Sequence, residues 1–137
     1  MEVTLLLCDS AEESGGKLYV LGGGWSIGPA NVPLNMALAI LLIIPWDQAN
    51  KQFKIEAQLM TADGDPVEME GQMVLNEGLL EVGRPPGTKP GSGLNTPFVL
   101  KANGLVLAPG GYRWELRVDG TQLATAAFQA RDGGASQ

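Results

Sequence analysis

The sequence predicts an all-β protein, a two-layer antiparallel β-sandwich of the immunoglobulin-like or jelly-roll-like kind with about eight or nine strands. Three observations carry this prediction. The chain has 137 residues with 19 Gly and 9 Pro, so its turns are frequent and its elements short. Several segments alternate apolar and polar residues with the period of a strand. Turn signals recur roughly every 8–12 residues, a spacing typical of sandwiches.

Residues 3–44 contain three predicted strands, Val3–Asp9, Lys17–Leu21 and Met36–Ile44. Between the first two, the polar segment Ser10–Gly16 is predicted to be a turn. The second strand has Leu18 and Val20 on one face and Lys17, Tyr19 and Leu21 on the other.

The glycines that follow, Gly22-Gly23-Gly24, indicate either a bulge or a backbone pressed close to a neighbour. A phosphate-binding loop is disfavoured, because no Lys-Ser/Thr pair and no helix follow them. Pro45–Asn50 is predicted to form a short helical turn.

Met36–Ile44 contains no polar residue. A helix on the surface of a small domain normally keeps a polar stripe, so a strand buried on both faces fits better. Two environments would produce that burial. The strand is either central in the sandwich, or its outer face meets a partner chain.

Residues 53–130 contain five predicted strands separated by turn signals. Asp63-Gly64-Asp65-Pro66 and Asp119-Gly120 are predicted hairpin turns. The strands are Phe53–Leu59, Val67–Leu75, Phe98–Leu100, Tyr112–Val118 and Leu123–Ala130.

Leu107–Tyr112 resembles the tyrosine corner of immunoglobulin-like folds, in which a Tyr at the start of a strand bonds back to the preceding loop. Trp114 is in phase with the apolar residues of the strand that follows. It is therefore predicted to lie in the core.

The length suits one domain, so we expect residues 1–130 to form a single sandwich and 131–137 a flexible C-terminal tail. The net charge of −6 argues against nucleic acid and anionic membranes as partners, because affinity for phosphate needs clustered Lys and Arg. No targeting signal or membrane span is visible. We expect a cytoplasmic location, or a virion or particle if the protein belongs to an assembly.

The absence of His and the single Cys8 exclude His-based catalysis and thiolate zinc sites. We therefore predict no enzyme, no catalytic residue, no metal and no cofactor. The acidic residues Asp63, Asp65, Glu68 and Glu70 could form a calcium site. A hairpin turn followed by a solvated strand face is the favoured interpretation, because the spacing of an EF-hand is absent. Cys8 is predicted to be a small buried hydrophobe.

Two groups of residues are candidate binding residues. Two interpretations stay open for the Pro-rich segment 84–93, a docking arm or a rigid crossover between the sheets, with the crossover favoured. Trp25 and Trp46 could stack on a ligand or cap the core, with core capping favoured. The possible partner contacts are Leu41, Ile43, Arg84, Pro85, Pro86 and Lys89.

Five segments resemble a family of short, uncharacterised bacterial proteins that is frequent in actinobacteria. The resemblance covers most of the chain and implies no known activity, so it transfers no functional residue. Leu41–Ile44 departs from the family pattern, which is more polar there. The segments are Val3–Asp9, Gly16–Trp25, Pro45–Asn50, Val82–Gly87 and Leu107–Tyr112.

The leading hypothesis is a non-catalytic sandwich that acts through protein–protein contact, as a homo-oligomeric structural or accessory component. Its partner would be itself or another protein. The alternatives are a small-ligand or carbohydrate-binding module and a component of a phage or phage-like particle. A hydrolase based on two carboxylates ranks last, because no spacing in the sequence supports it.

Overall fold

The computed structural model describes residues 1–132, which form eleven strands and one short 3-10 helix at Trp46–Gln48. The helix confirms the predicted helical turn. The strands are β1 Glu2–Ser14, β2 Lys17–Gly23, β3 Ile27–Ala30, β4 Leu34–Ile44, β5 Gln52–Thr61, β6 Glu68–Met69, β7 Gln72–Met73, β8 Leu75–Glu81, β9 Leu94–Leu105, β10 Gly110–Val118 and β11 Thr121–Asp132.

Two sheets pack face to face. Sheet A has the strand order β2-β1-β4-β9, and sheet B has the order β3-β11-β10-β5-β8. All neighbours are antiparallel except β3 and β11, which are parallel. The all-β sandwich prediction is confirmed. No helix within residues 1–132 has the length and apolarity needed to cross a membrane.

The main core lies between the sheets and consists of alternate residues of the central strands. Ile40 and Leu42 of β4 face Trp114 and Leu116 of β10, and all four are essentially buried. Burying each such side chain contributes about 1.5–3 kcal/mol. The predicted core position of Trp114 is confirmed.

A second, smaller cluster lies on the opposite face of sheet A. Cys8, Ala37 and Ala39 are buried there, and Leu18 of β2 and Val99 of β9 pack against them. Because Leu18 and Val99 belong to the two edge strands of sheet A, the β1–β2 hairpin must bend over β4. The small alanines leave room for this approach, so this part of β4 is buried on both faces within one chain.

The first hairpin corrects one prediction. Ser10–Gly16 is not a turn, because β1 continues to Ser14 and only Gly15 and Gly16 form the turn. Both glycines have positive φ angles, 59° and 77°. The polar residues misled the prediction because this part of β1 is exposed except at Ala11.

The segment Val67–Leu75 also differs from the prediction of one strand. The backbone of Leu59 in β5 bonds to both Val67 and Val74, each at 3.0 Å. The residues between those two positions leave the sheet as the small β6–β7 hairpin. Its turn residues, Glu70 and Gly71, have φ angles of 54° and 78°, typical of a type I′ turn.

β3 and β8 were not predicted as strands, and the bounds of β9 and β11 differ from the prediction. β3 is short and lies at the edge of sheet B, and β9 is much longer than the predicted Phe98–Leu100. β9 contains Pro97, which an edge strand tolerates because its outward positions need no ladder hydrogen bond. β11 continues to Asp132, so the first two residues of the predicted tail are strand. The rest of the tail, 133–137, lies outside the described residues.

The two predicted hairpin turns and the tyrosine corner are confirmed. Thr61 N donates to Asp65 O at 2.8 Å, which closes the Asp63–Pro66 turn. Asp119-Gly120 joins β10 to β11. The Tyr112 hydroxyl donates to Ala108 O at 2.7 Å.

Candidate functional site

A cleft of about 370 Å³ opens where β2 ends and β3 begins. The glycine run and Trp25 form part of its wall, and the Asp9 carboxylate contributes polar surface. The lining residues are Asp9, Gly22, Gly23, Gly24, Trp25, Ile27, Gly28, Pro29 and Leu34.

The glycine run allows close approach between β2 and β1. The register of the two strands is the same on both sides of Gly22, so no residue is inserted. A Cβ atom on Gly22 would collide with the Asp9 carboxylate, and one on Gly23 would lie 2.9 Å from Leu6 Cδ2. Of the two predicted roles of these glycines, close approach of the backbone is the one the contacts support.

Trp25 is half-buried and packs edge-on against Phe128, with 5.6 Å between ring centroids and 70° between planes. Its indole Nε1 is buried without a hydrogen-bond partner, the sole side-chain nitrogen or oxygen in this condition within residues 1–132. A buried donor without an acceptor costs about 1–3 kcal/mol. Trp25 therefore caps one end of the core and also forms part of the cleft.

A second groove of about 390 Å³ adjoins the cleft through Ile27. Tyr112 and Phe128 stack in it at 5.6 Å, and Arg131 contributes a guanidinium at its margin. Burial raises the pKa of the Tyr112 phenol. The lining residues are Ser26, Ile27, Ala62, Gly111, Tyr112, Ala127, Phe128, Gln129 and Arg131.

Trp46 and Arg84 interact with each other. The Arg84 guanidinium lies 4.2 Å from the centroid of the Trp46 ring. Its Nε and Nη2 donate to Trp46 O at 3.2 and 2.7 Å. One face of the half-buried Trp46 is therefore covered by this arginine, and the start of the Pro-rich segment is attached to the 3-10 helix.

The Pro-rich segment 84–93 connects β8 of sheet B to β9 of sheet A. It contains two turns, closed by Thr88 N to Pro85 O and Ser92 N to Lys89 O, both at 3.1 Å. Pro85, Pro86 and Lys89 are exposed. The segment is thus a crossover between the sheets whose tip faces solvent.

Leu41 and Ile43 are half-buried on the outer face of sheet A. Ile43 reaches the end of the Pro-rich segment, because a Cβ atom on Gly93 would lie only 2.6 Å from Ile43 Cγ2. The structure therefore brings Ile43 next to the Pro-rich segment, whereas Leu41 pairs with Pro97 of β9. Trp25 lies apart from both, in the cleft between β2 and β3.

Strand β2 is a surface feature that the candidate residues did not include. Tyr19, Val20 and Leu21 expose 56%, 37% and 71% of their surface, and β2 is an edge strand of sheet A. One signal for it was present in the sequence, since Lys17–Leu21 carries apolar residues on both faces. A strand of that pattern is either covered on both sides or apolar where it meets solvent.

The acidic candidates do not converge on a metal site. Within residues 1–132, no group of three or more His, Cys, Asp or Glu side chains is placed to hold a metal ion. Asp65 instead closes the turn after β5, its backbone N–H donating to Thr61 Oγ1 at 3.1 Å. Burial raises the pKa of the Cys8 thiol, whose Sγ lies 3.3 Å from Ala37 O.

The two packed sheets and the tyrosine corner define the chain as a β-sandwich protein. The chain belongs to DUF6941, a family of unknown function, whose model matches residues 3–131. This confirms the resemblance to an uncharacterised family. No curated protein that was compared with the chain matches it.

Proposed function

We propose that this protein acts through protein–protein contact, as a homo-oligomeric structural or accessory component. The observation that carries the proposal is the exposed apolar surface of sheet A. Tyr19 and Leu21 are exposed on one face of β2, Val20 is exposed on the other, and Leu6 on the neighbouring β1 is 38% exposed. Apolar side chains grouped in this way favour association.

Partly exposed apolar residues also lie toward the middle of sheet A. Leu6 pairs with Ala39, two residues before Leu41 on the same face of β4, and Leu41 pairs with Pro97 of β9. Half-buried Leu41 and Ile43 thus extend the apolar surface away from the β2 edge. A partner that covers both regions would bury a larger apolar surface area than a partner that covers either region alone.

Light scattering coupled to size-exclusion chromatography tests the proposal over a range of protein concentrations. The chain has a mass of 14.4 kDa, so an oligomer gives a defined multiple of that mass. Leu21→Glu should shift the equilibrium toward monomer, whereas Leu79→Glu, at an equally exposed residue on β8 of sheet B, should not. A monomer at every concentration would remove the homo-oligomeric form of the proposal.

A second candidate function, binding of a small ligand such as a carbohydrate, is supported by the cleft at Trp25. The indole ring forms part of a cleft of about 370 Å³ with the Asp9 carboxylate nearby. Sugar rings stack on indoles and donate hydroxyls to carboxylates. Titration with mono- and oligosaccharides should change the fluorescence of the wild type but not that of Trp25→Leu, with Trp46→Leu as the matched control.

A further inference from the structure

The free edge of β2 has a hydrogen-bonding pattern that its turn determines. Gly15 and Gly16 form a two-residue turn, so the flanking pair Ser14–Lys17 is a hydrogen-bonded pair. Antiparallel ladders alternate, so Tyr19 and Leu21 also bond toward β1. The backbone N–H and C=O groups of Leu18 and Val20 therefore point away from the sheet.

The regular part of this edge ends at Leu21. Gly22 has a φ of 62°, in the left-handed region, and the Asp9–Gly22 pair is missing from the ladder. A strand added to the edge can follow the regular backbone of Lys17–Leu21 only. Tyr19 is the middle residue of those five.

We propose that a second copy of this chain pairs with β2 through its own β2, antiparallel, with the two Tyr19 residues opposite each other on a two-fold axis. This inference rests on the proposed function and names its partner and its contact. Leu18 of one copy lies opposite Val20 of the other, so four backbone hydrogen bonds form. Sheet A becomes one continuous eight-stranded sheet, β9-β4-β1-β2 joined to the same four strands of the second copy.

The side chains favour a second copy over an unrelated strand. In this register Tyr19 faces Tyr19 and Lys17 faces Leu21, so the exposed ring, the exposed leucine and the lysine methylenes cover one another. Lys17 is the one charged residue of the five and has no like charge opposite it. An unprotected edge with a self-matching pattern is the usual basis of a two-fold strand interface.

Cysteine cross-linking tests the register. Tyr19 forms a non-hydrogen-bonded pair, where facing Cα atoms lie about 4.5 Å apart and a disulfide can close. Mild oxidation of Tyr19→Cys should give a covalent dimer at least about tenfold faster than Val20→Cys or Leu79→Cys, because pairing raises the effective thiol concentration. Buried Cys8 does not compete. Equal rates for the three variants, or faster cross-linking of Val20→Cys, would overturn the proposed register.

Amide hydrogen exchange on the wild type tests the same contact without a substitution. The amides of Leu18 and Val20 should be protected at high protein concentration and lose protection on dilution, while that of Tyr19 stays protected throughout. If light scattering shows an oligomer but Leu18 and Val20 exchange freely at every concentration, this inference fails and the proposed function stands. A monomer at all concentrations removes this inference together with the homo-oligomeric form of the proposed function.

Discussion

Trp114 Nε1 donates a hydrogen bond to Met36 Sδ at 3.2 Å, and this contact joins the two sheets in the middle of the core. Each of the two residues is 1% exposed. A thioether is a weak acceptor, but it is the partner that this buried indole has. The contact lets a tryptophan fill the core without leaving its N–H unsatisfied.

The first prediction concerns this pair. Met36→Leu keeps the volume but leaves the indole donor without an acceptor, so we expect the free energy of unfolding to fall by about 1–2 kcal/mol. Trp114→Phe should lower it by about 2 kcal/mol or more, because it also opens a cavity. Urea denaturation of both single variants and the double variant gives the coupling energy. Additive effects would show that the Nε1–Sδ contact contributes nothing to stability.

The second prediction concerns the tyrosine corner. Tyr112→Phe removes the hydroxyl that donates to Ala108 O and should lower the free energy of unfolding by about 1 kcal/mol. Because burial raises the pKa of the Tyr112 phenol, the folded state holds the proton more tightly than the unfolded state. This contribution to stability is present below about pH 10 and is lost as the pH rises through the folded-state pKa.

Urea denaturation between pH 8 and 11 separates the two effects. The wild type should lose stability above about pH 10 more steeply than Tyr112→Phe. Parallel curves for the two proteins would contradict the assignment of the alkaline loss to Tyr112.

Sequence periodicity predicted the strands whose two faces have different surroundings. The strand around Trp114 is one example, since its apolar residues face the core and its charged residues the outside. Periodicity failed for β1 beyond Asp9, because both faces there are mostly exposed and polar residues give no alternation. It also failed at Glu70-Gly71, where a glutamate occupies a turn position that normally signals itself by Asn or Gly.

The candidate binding residues, too, could be predicted only in part from the sequence. The sequence marked Trp25 and Trp46 as large anchors, but their different surroundings come from Phe128 and Arg84, which are distant in the chain. The exposed edge at Tyr19 was not predicted from the sequence, for a related reason. Which strand lies at the edge of a sheet depends on strand order, and periodicity within one segment contains no information about order.

The third prediction concerns Glu115, a nearly buried carboxylate on the outer face of sheet B. It lies between Arg113 Nε at 2.9 Å and Arg117 Nη1 at 3.3 Å. Glu115→Ala leaves the two guanidinium groups without their shared anion, so we expect a loss of about 1–3 kcal/mol in urea denaturation. Glu115→Gln keeps the shape and should lose less.

Glu77→Ala is the matched control for this prediction. Glu77 pairs with Lys54 at 3.3 Å, but both side chains are about half exposed. Such a pair contributes at most about 1 kcal/mol, and its loss should change stability little. Equal losses for Glu115→Ala and Glu77→Ala would show that the burial of Glu115 has no energetic consequence.

The fourth prediction is a stabilising change in the β6–β7 turn. Glu70 has a φ of 54°, which glutamate adopts at a cost and asparagine adopts readily. Glu70→Asn should raise the free energy of unfolding by about 0.5–1 kcal/mol. Glu68→Asn removes the same charge from a strand position and should give no gain. A gain in both variants would point to relief of negative charge instead of turn geometry.

The fifth prediction uses Cys8 to report on the cover over β4. The thiol is fully buried beneath the β1–β2 hairpin, donates to Ala37 O at 3.3 Å, and has its pKa raised by burial. A thiol reagent at pH 8 should therefore label it at least about a thousandfold more slowly in the folded protein than in urea, because labelling requires opening of the hairpin. Leu79→Cys, at a residue that is 68% exposed on β8 and outside the proposed dimer contact, provides the fast reference. Rapid labelling of Cys8 in the native wild type would mean that the hairpin separates from β4 easily, and the edge at Tyr19 would then move with it.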